Sequence, residues 1–120
     1  MSSPHPATAS APSLDGRRFV LQSSTNSRVD PDAPSVFDYH EQDGIVWGDY
    51  RGDTVTFGRF VARRVGDVID VAFVHRLVST GEVVSGDSTS SIEVGDDGLR
   101  LVERFRIDGV DHESVCVELT

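Results

Sequence analysis

The sequence predicts an all-β fold, a closed antiparallel up-and-down barrel of about eight strands. The chain divides into short β-rich segments separated by turn pairs such as Asp43-Gly44 and Asp108-Gly109, with successive turns roughly nine to sixteen residues apart, as in a meander of hairpins. No window combines a 3.6-residue apolar period with a preceding helix cap. Closing such a sheet removes its exposed edges, whereas a seven- or eight-stranded sandwich is the alternative fold.

Eight strands are expected, each bounded by turn residues. They cover Arg17–Ser24, Ser35–Glu41, Ile45–Arg51, Asp53–Arg63, Val68–Ser79, Glu82–Val94, Leu99–Ile107 and His112–Leu119. The long connection Thr25–Pro34 is rich in Asn, Asp, Ser and Pro, and we expect it at a barrel mouth as a lid or entrance. Residues 1–13 lack large apolar side chains apart from the initial Met and predict a disordered tail before a single domain of residues 14–120.

Composition restricts the partners and the compartment. A chain of 120 residues is one domain, and its net charge of −9 disfavours nucleic acid and anionic membranes as partners. The N-terminus has no basic and apolar leader pattern, so a cytoplasmic location is expected. Cys116 is the only cysteine, and the four histidines lack metal-ligand spacing. With no phosphate-binding or dinucleotide motif in the sequence either, we expect no cofactor and no metal.

Period-two alternation places two polar side chains on apolar strand faces. In the strand that ends at Ile107, Glu103 shares a face with leucines and a phenylalanine, while arginines occupy the opposite face. In the fifth strand, His75 lies on the same face as Phe73. A carboxylate whose pKa is raised by burial, next to an imidazole, could act as an acid/base pair. His75, Glu103 and Tyr39 are therefore the catalytic candidates.

Aromatic side chains predict the lining of a small-molecule pocket, which is typically apolar with a few orienting polar groups. The third and fourth strands carry aromatic residues on both faces, so which face points inward is ambiguous there. The ligand-binding candidates are Phe37, Trp47, Tyr50, Arg59, Phe73 and Phe105.

The residues leave several functions open. The first is a cofactor-free cyclase, isomerase or lyase that folds a largely hydrophobic substrate inside the barrel, with His75, Glu103 or Tyr39 moving a proton. The second is a non-catalytic carrier or sensor of an apolar ligand. The third is a solidly packed barrel that is structural or forms a homodimer, in which His75 and Glu103 bond to each other, to Arg59 or to a tyrosine hydroxyl.

A resemblance supports the barrel. The matching pieces, spread from Phe37 to Glu118, include Val46-Trp47, the Phe73-x-His75 pair and Glu103. They resemble a family of small bacterial proteins labelled N-acetylglutamate synthase. The resemblance implies a calycin-like (lipocalin-like) β-barrel more than an activity.

Overall fold

The computed structural model describes residues 11–25, 29, 32–52 and 54–119. They form eight antiparallel strands in a closed barrel, in which each strand pairs with the next and the last pairs with the first. The strands are β1 (Arg18–Ser24), β2 (Val36–Gln42), β3 (Ile45–Arg51), β4 (Val55–Val65), β5 (Val68–Leu77), β6 (Val83–Gly95), β7 (Gly98–Ile107) and β8 (Val110–Glu118).

The predicted closed barrel is confirmed, and the sandwich alternative is wrong, because β1 pairs with β8 along its length. Asp43 and Asp108 each adopt a positive φ, of 52° and 50°, and so do the glycines that follow them. Two adjacent positive φ values suit the twist of a two-residue hairpin turn. The Asp-Gly pairs of the sequence therefore mark real hairpins. No helix among the described residues is long and apolar enough to cross a membrane.

The two ends of the barrel differ. We call the closed end the one that holds the start of β1 and the β2–β3, β4–β5 and β6–β7 turns. Four inward side chains near it, Phe19, Val46, Ile69 and Leu101, are at most 2% exposed, and Leu14 packs with them. The opposite end, the open end, holds the start of β2 and the β3–β4, β5–β6 and β7–β8 turns.

The chain before β1 covers the closed end. Ala11 is buried, and its amide donates to Asp67 Oδ1 over 3.1 Å. The amide of Leu14 donates to Glu41 Oε1 over 2.8 Å. Ala11, which lies within the segment predicted to be a disordered tail, thus packs against the barrel, and the exact boundary between tail and domain stays a prediction. Residues 1–10 of that tail lie outside the described residues.

The expected entrance loop, Thr25–Pro34, connects β1 with β2 at the open end, where the prediction placed it. Thr25 is joined to β8, because its amide donates to the Glu113 carbonyl over 2.9 Å. Residues 26–28, 30 and 31 lie outside the described residues. A lid function for this loop stays a prediction.

Candidate functional site

The interior changes character along the barrel axis. Inward side chains from the closed end up to mid-barrel are mostly buried, whereas several nearer the open end are partly exposed, although Tyr50 and Val55 there are buried. Because the closed sheet shields them from the sides, this exposure faces the interior and the mouth of the barrel. We call this region the open-end site. Its lining includes Phe37, Tyr39, Tyr50, Phe73, His75, Ser88, Glu103 and Phe105.

A hydrogen bond joins two of the predicted residues across a third strand. The Tyr50 hydroxyl lies 2.7 Å from His75 Nδ1. Gly58 on β4 lies between them, because it pairs with Tyr50 on β3 and with His75 on β5. A Cβ atom at Gly58 would come within 3.0 Å of three ring carbons of Tyr50. The missing side chain at position 58 is therefore what lets the tyrosine ring lie across β4 and reach the imidazole.

Burial keeps both partners of this hydrogen bond neutral near pH 7. Burial lowers the pKa of His75 and raises the pKa of Tyr50. The negative charge of Glu103 raises the pKa of Tyr50 further. When the Tyr50 hydroxyl donates its hydrogen bond to Nδ1, the neutral imidazole carries its own proton on Nε2. His75 can then offer an N–H donor to a molecule in the site.

Flat aromatic faces flank the Tyr50–His75 pair. The Phe73 ring stacks on His75 with a centroid distance of 5.6 Å and an interplanar angle of 5°. The Phe37 ring stacks on Tyr50 at 4.8 Å and 21°. The two stacks restrict the rings that they contain and give the site aromatic surfaces for an apolar or planar molecule.

Glu103 is the carboxylate of the open-end site. Its Oε2 accepts a hydrogen bond from the Ser88 hydroxyl over 2.7 Å. Burial raises the pKa of Glu103, and the Ser88 hydrogen bond opposes that shift. No Arg or His side chain in the described part of the chain forms an ion pair with Glu103. The carboxylate is therefore mostly desolvated with a hydroxyl as its partner, which is costly for an ion.

Tyr39 marks the floor of the site. It is 7% exposed, and its ring contacts Phe19 and Phe60 at centroid distances of 5.1 and 4.6 Å. Burial raises the pKa of Tyr39 well above its ordinary value, and the charges of Cys116 and Glu103 add to the effect. Tyr39 is thus a neutral phenol that faces Glu103, at the boundary between the apolar core and the site.

Phe105 and His112 lie at the rim. Their rings stack at a centroid distance of 5.5 Å and 23°, and His112 Nδ1 lies 3.1 Å from Thr25 Oγ1. The start of the β1–β2 connection is therefore tied to the aromatic rim of the open end.

The interior position predicted for Trp47 is wrong, and so is the one implied for Arg59 by its place among the ligand-binding candidates. Trp47 is 40% exposed and stacks on His40 at 5.6 Å, outside the barrel. The Arg59 side chain is 73% exposed and pairs with Asp49, with 3.1 Å between Nε and Oδ1. The reason is the phase of the alternation on β3 and β4, where the buried residues include Val46, Gly48, Tyr50, Gly58 and Phe60.

His75 and Glu103 do not pair with each other among the described contacts. His75 bonds to a tyrosine hydroxyl, which was one of the predicted alternatives, and Glu103 bonds to Ser88. Ser88 was not predicted from the sequence, because it lies in a run of hydroxyl residues that is typical of a solvated strand face. The alternation of side chains along β6 could have identified Ser88, because Ser88 and Ser90 lie on the same inward face as the buried Ile92.

The comparison with protein families agrees with this geometry. A family model described as avidin-like protein matches residues 12–119, almost the whole described barrel. The chain belongs to the avidin-like family. No curated protein and no solved structure matches the chain significantly.

Membership in the avidin-like family bears on several of the expectations from the sequence. The family is known for small-molecule binding, and its members often oligomerise. The eight-stranded barrel confirms the calycin-like fold that the sequence resemblance implied. No homologue supports the N-acetylglutamate synthase label, so that part of the resemblance is corrected.

Proposed function

We propose that this avidin-like chain binds a small organic molecule in the open-end site. The observation that carries the proposal is the contrast between the two ends of the interior. Buried apolar side chains fill the closed end, whereas the open end is lined by aromatic and polar side chains, several of which are partly exposed. Binding pockets combine apolar walls with a few orienting polar groups. The stacked rings supply the walls, and His75 Nε2–H and the Glu103 carboxylate supply a donor and an acceptor.

Amide NMR spectra of the 15N-labelled protein test the proposal with a library of small aromatic and heterocyclic molecules. Ligands are expected to shift the amide signals of Tyr50, Gly58, His75 and Glu103. Trp47 is on the outer face, so its indole signal should stay in place. If no molecule shifts the open-end signals, the interior is fully packed and the proposal fails.

A pair of variants on β5 localises the binding. Phe73→Leu removes an inward ring that stacks on His75, whereas Val74→Leu changes a neighbouring outward side chain that is 49% exposed. Loss of a stacked aromatic contact is expected to weaken binding by roughly two- to tenfold. Val74→Leu should leave affinity unchanged, and equal losses in the two variants would place the ligand elsewhere.

A cofactor-free cyclase, isomerase or lyase is the second candidate, and the Tyr50–His75 hydrogen bond favours it. A neutral imidazole held in one orientation is suited to move a proton. The test incubates each molecule found to bind with the protein and follows it by NMR, which detects isomerisation as well as cleavage. Ligands recovered unchanged would restrict the protein to carriage or sensing. Turnover that His75→Gln abolishes would establish catalysis.

A further inference from the structure

We infer that the molecule bound in the open-end site is an organic cation, an amidinium, guanidinium or protonated amine on a flat apolar body, whose charged N–H group is held by Glu103. This inference rests on the proposed function, because it names the ligand class for the same site. It replaces the expectation of a largely hydrophobic ligand with that of a cation carried on a hydrophobic body.

The Glu103 carboxylate has few hydrogen-bond donors around it among the described side chains. Glu103 accepts one hydrogen bond from a described side chain, from Ser88 to Oε2. An ionised carboxylate offers about four acceptor positions on its two oxygens. Acceptor positions therefore remain for a ligand that brings two or three N–H donors, and charge-assisted hydrogen bonds of this type are roughly twice as strong as neutral ones.

The described groups that couple electrostatically to Glu103 supply no positive charge to balance it. The groups whose charge couples to Glu103 are Tyr39, Tyr50 and Cys116, and burial raises the pKa of each. They stay neutral near pH 7, as His75 does, so none of them offsets a negative charge on Glu103.

The arginines of β7 point the other way. Arg100 pairs with Glu93 over 2.9 Å, and Arg104 approaches Glu113 to 3.6 Å, both on the outer face of the barrel. Alternation keeps these cations on the opposite side of the sheet from Glu103. No arginine of the described residues therefore reaches the Glu103 carboxylate, which stays accessible to a cationic ligand from the open end.

The stacked aromatic rings of the open-end site also favour a cation. The Phe37–Tyr50 and Phe73–His75 stacks present π-faces in the same region. A cation is attracted to such faces by the ring quadrupole, most strongly where water is excluded. Carboxylate and rings together favour a planar cation over a neutral or anionic molecule of the same shape.

Three probes of one shape and different charge test the inference: benzamidinium, benzamide and benzoate. Their affinities for the wild-type protein are measured by NMR titration at neutral pH, with the open-end amides as the readout. Benzamidinium is expected to bind at least about tenfold more tightly than benzamide, with benzoate weakest. Equal affinity of benzamidinium and benzamide, or a preference for benzoate, would overturn the inference. The wild-type ranking alone is decisive if a variant does not fold.

A pair of isosteric substitutions assigns the effect to one carboxylate. Glu103→Gln should bring the affinity for benzamidinium down to that for benzamide. Glu93→Gln removes the same charge from the outer face and should change neither affinity. If Glu103→Gln keeps the preference for benzamidinium, Glu103 is not the recognising group. If neutral library molecules bind at the open end and benzamidinium does not, the cation inference fails while the proposed function stands.

Discussion

Arg64 is expected to hold the closed end of the barrel together, and its replacement by methionine tests this. Its side chain is 6% exposed, although arginine is usually a surface residue. Nη1 lies 2.8 Å from Glu41 Oε1, and Nη2 lies 3.5 Å from Asp67 Oδ1. The Glu41 side chain is itself 15% exposed, so removal of the guanidinium leaves a nearly buried carboxylate without its cation.

The backbone carbonyls add to the loss. Arg64 donates to the carbonyl oxygens of Ala11, Pro12 and Gly66 over 2.9, 3.0 and 2.8 Å. Two of these carbonyls belong to the segment that covers the closed end. Breaking a buried ion pair by removing one partner costs about 3–5 kcal/mol of the free energy of unfolding. Arg64→Met should lie in that range, and the amide of Ala11 should lose protection from hydrogen exchange.

Arg63→Met is the matched control, one residue earlier on the same strand. The Arg63 side chain is 78% exposed and lies 3.8 Å from Asp70. An exposed pair of this kind contributes about 0–1 kcal/mol. Urea denaturation followed by circular dichroism gives both free energies. A loss below about 1 kcal/mol for Arg64→Met, or similar losses for the two variants, would refute the assignment of Arg64 as the anchor of the closed end.

Two further predictions concern the open-end site. Gly58→Val should displace the Tyr50 ring and break its hydrogen bond to His75, which the 15N shifts of the His75 ring would report. The free energy of unfolding should fall by about 1–3 kcal/mol in urea denaturation. An unchanged Nδ1 shift would contradict the steric argument. Because burial lowers the pKa of His75 below its ordinary 6.5, the unfolded chain binds the proton first. Stability should therefore fall as the pH drops below that value, and fall less in His75→Gln; parallel pH profiles for the two proteins would contradict it.

The strand count and the closure followed from turn chemistry, but the end of β4 did not. The predicted strand ends at Arg63, whereas the observed strand continues to Val65. A run of two arginines predicts exposure, yet Arg64 points inward. Its partners Glu41 and Asp67 come from the end of β2 and from the β4–β5 turn. Local sequence carries no signal of such a neutralised charge, because the partners meet only after the barrel closes.

The polar groups of the site were predictable where one face of a strand was clearly apolar, as for His75 on β5 and Glu103 on β7. The sequence did not determine which face of β3 points inward, because Trp47 and Tyr50 are both aromatic and lie on opposite faces. A shift of one residue exchanges the two faces of a strand. The deciding feature is Gly58, whose missing side chain accommodates the Tyr50 ring, and that contact joins two strands.

Arg64 and Glu103, two of the desolvated ionisable groups among the described residues, have opposite surroundings, and the contrast favours a ligand at Glu103. At the closed end, Arg64 is surrounded by carboxylate and carbonyl acceptors from its own chain, so the charge is stabilised without any other molecule. At the open end, Glu103 has a hydroxyl partner and neutral neighbours. Burying an ionised carboxylate without a cation costs free energy, and the raised pKa of Glu103 reflects this cost. A cationic ligand that hydrogen-bonds to Glu103 would favour its ionised form and recover that free energy.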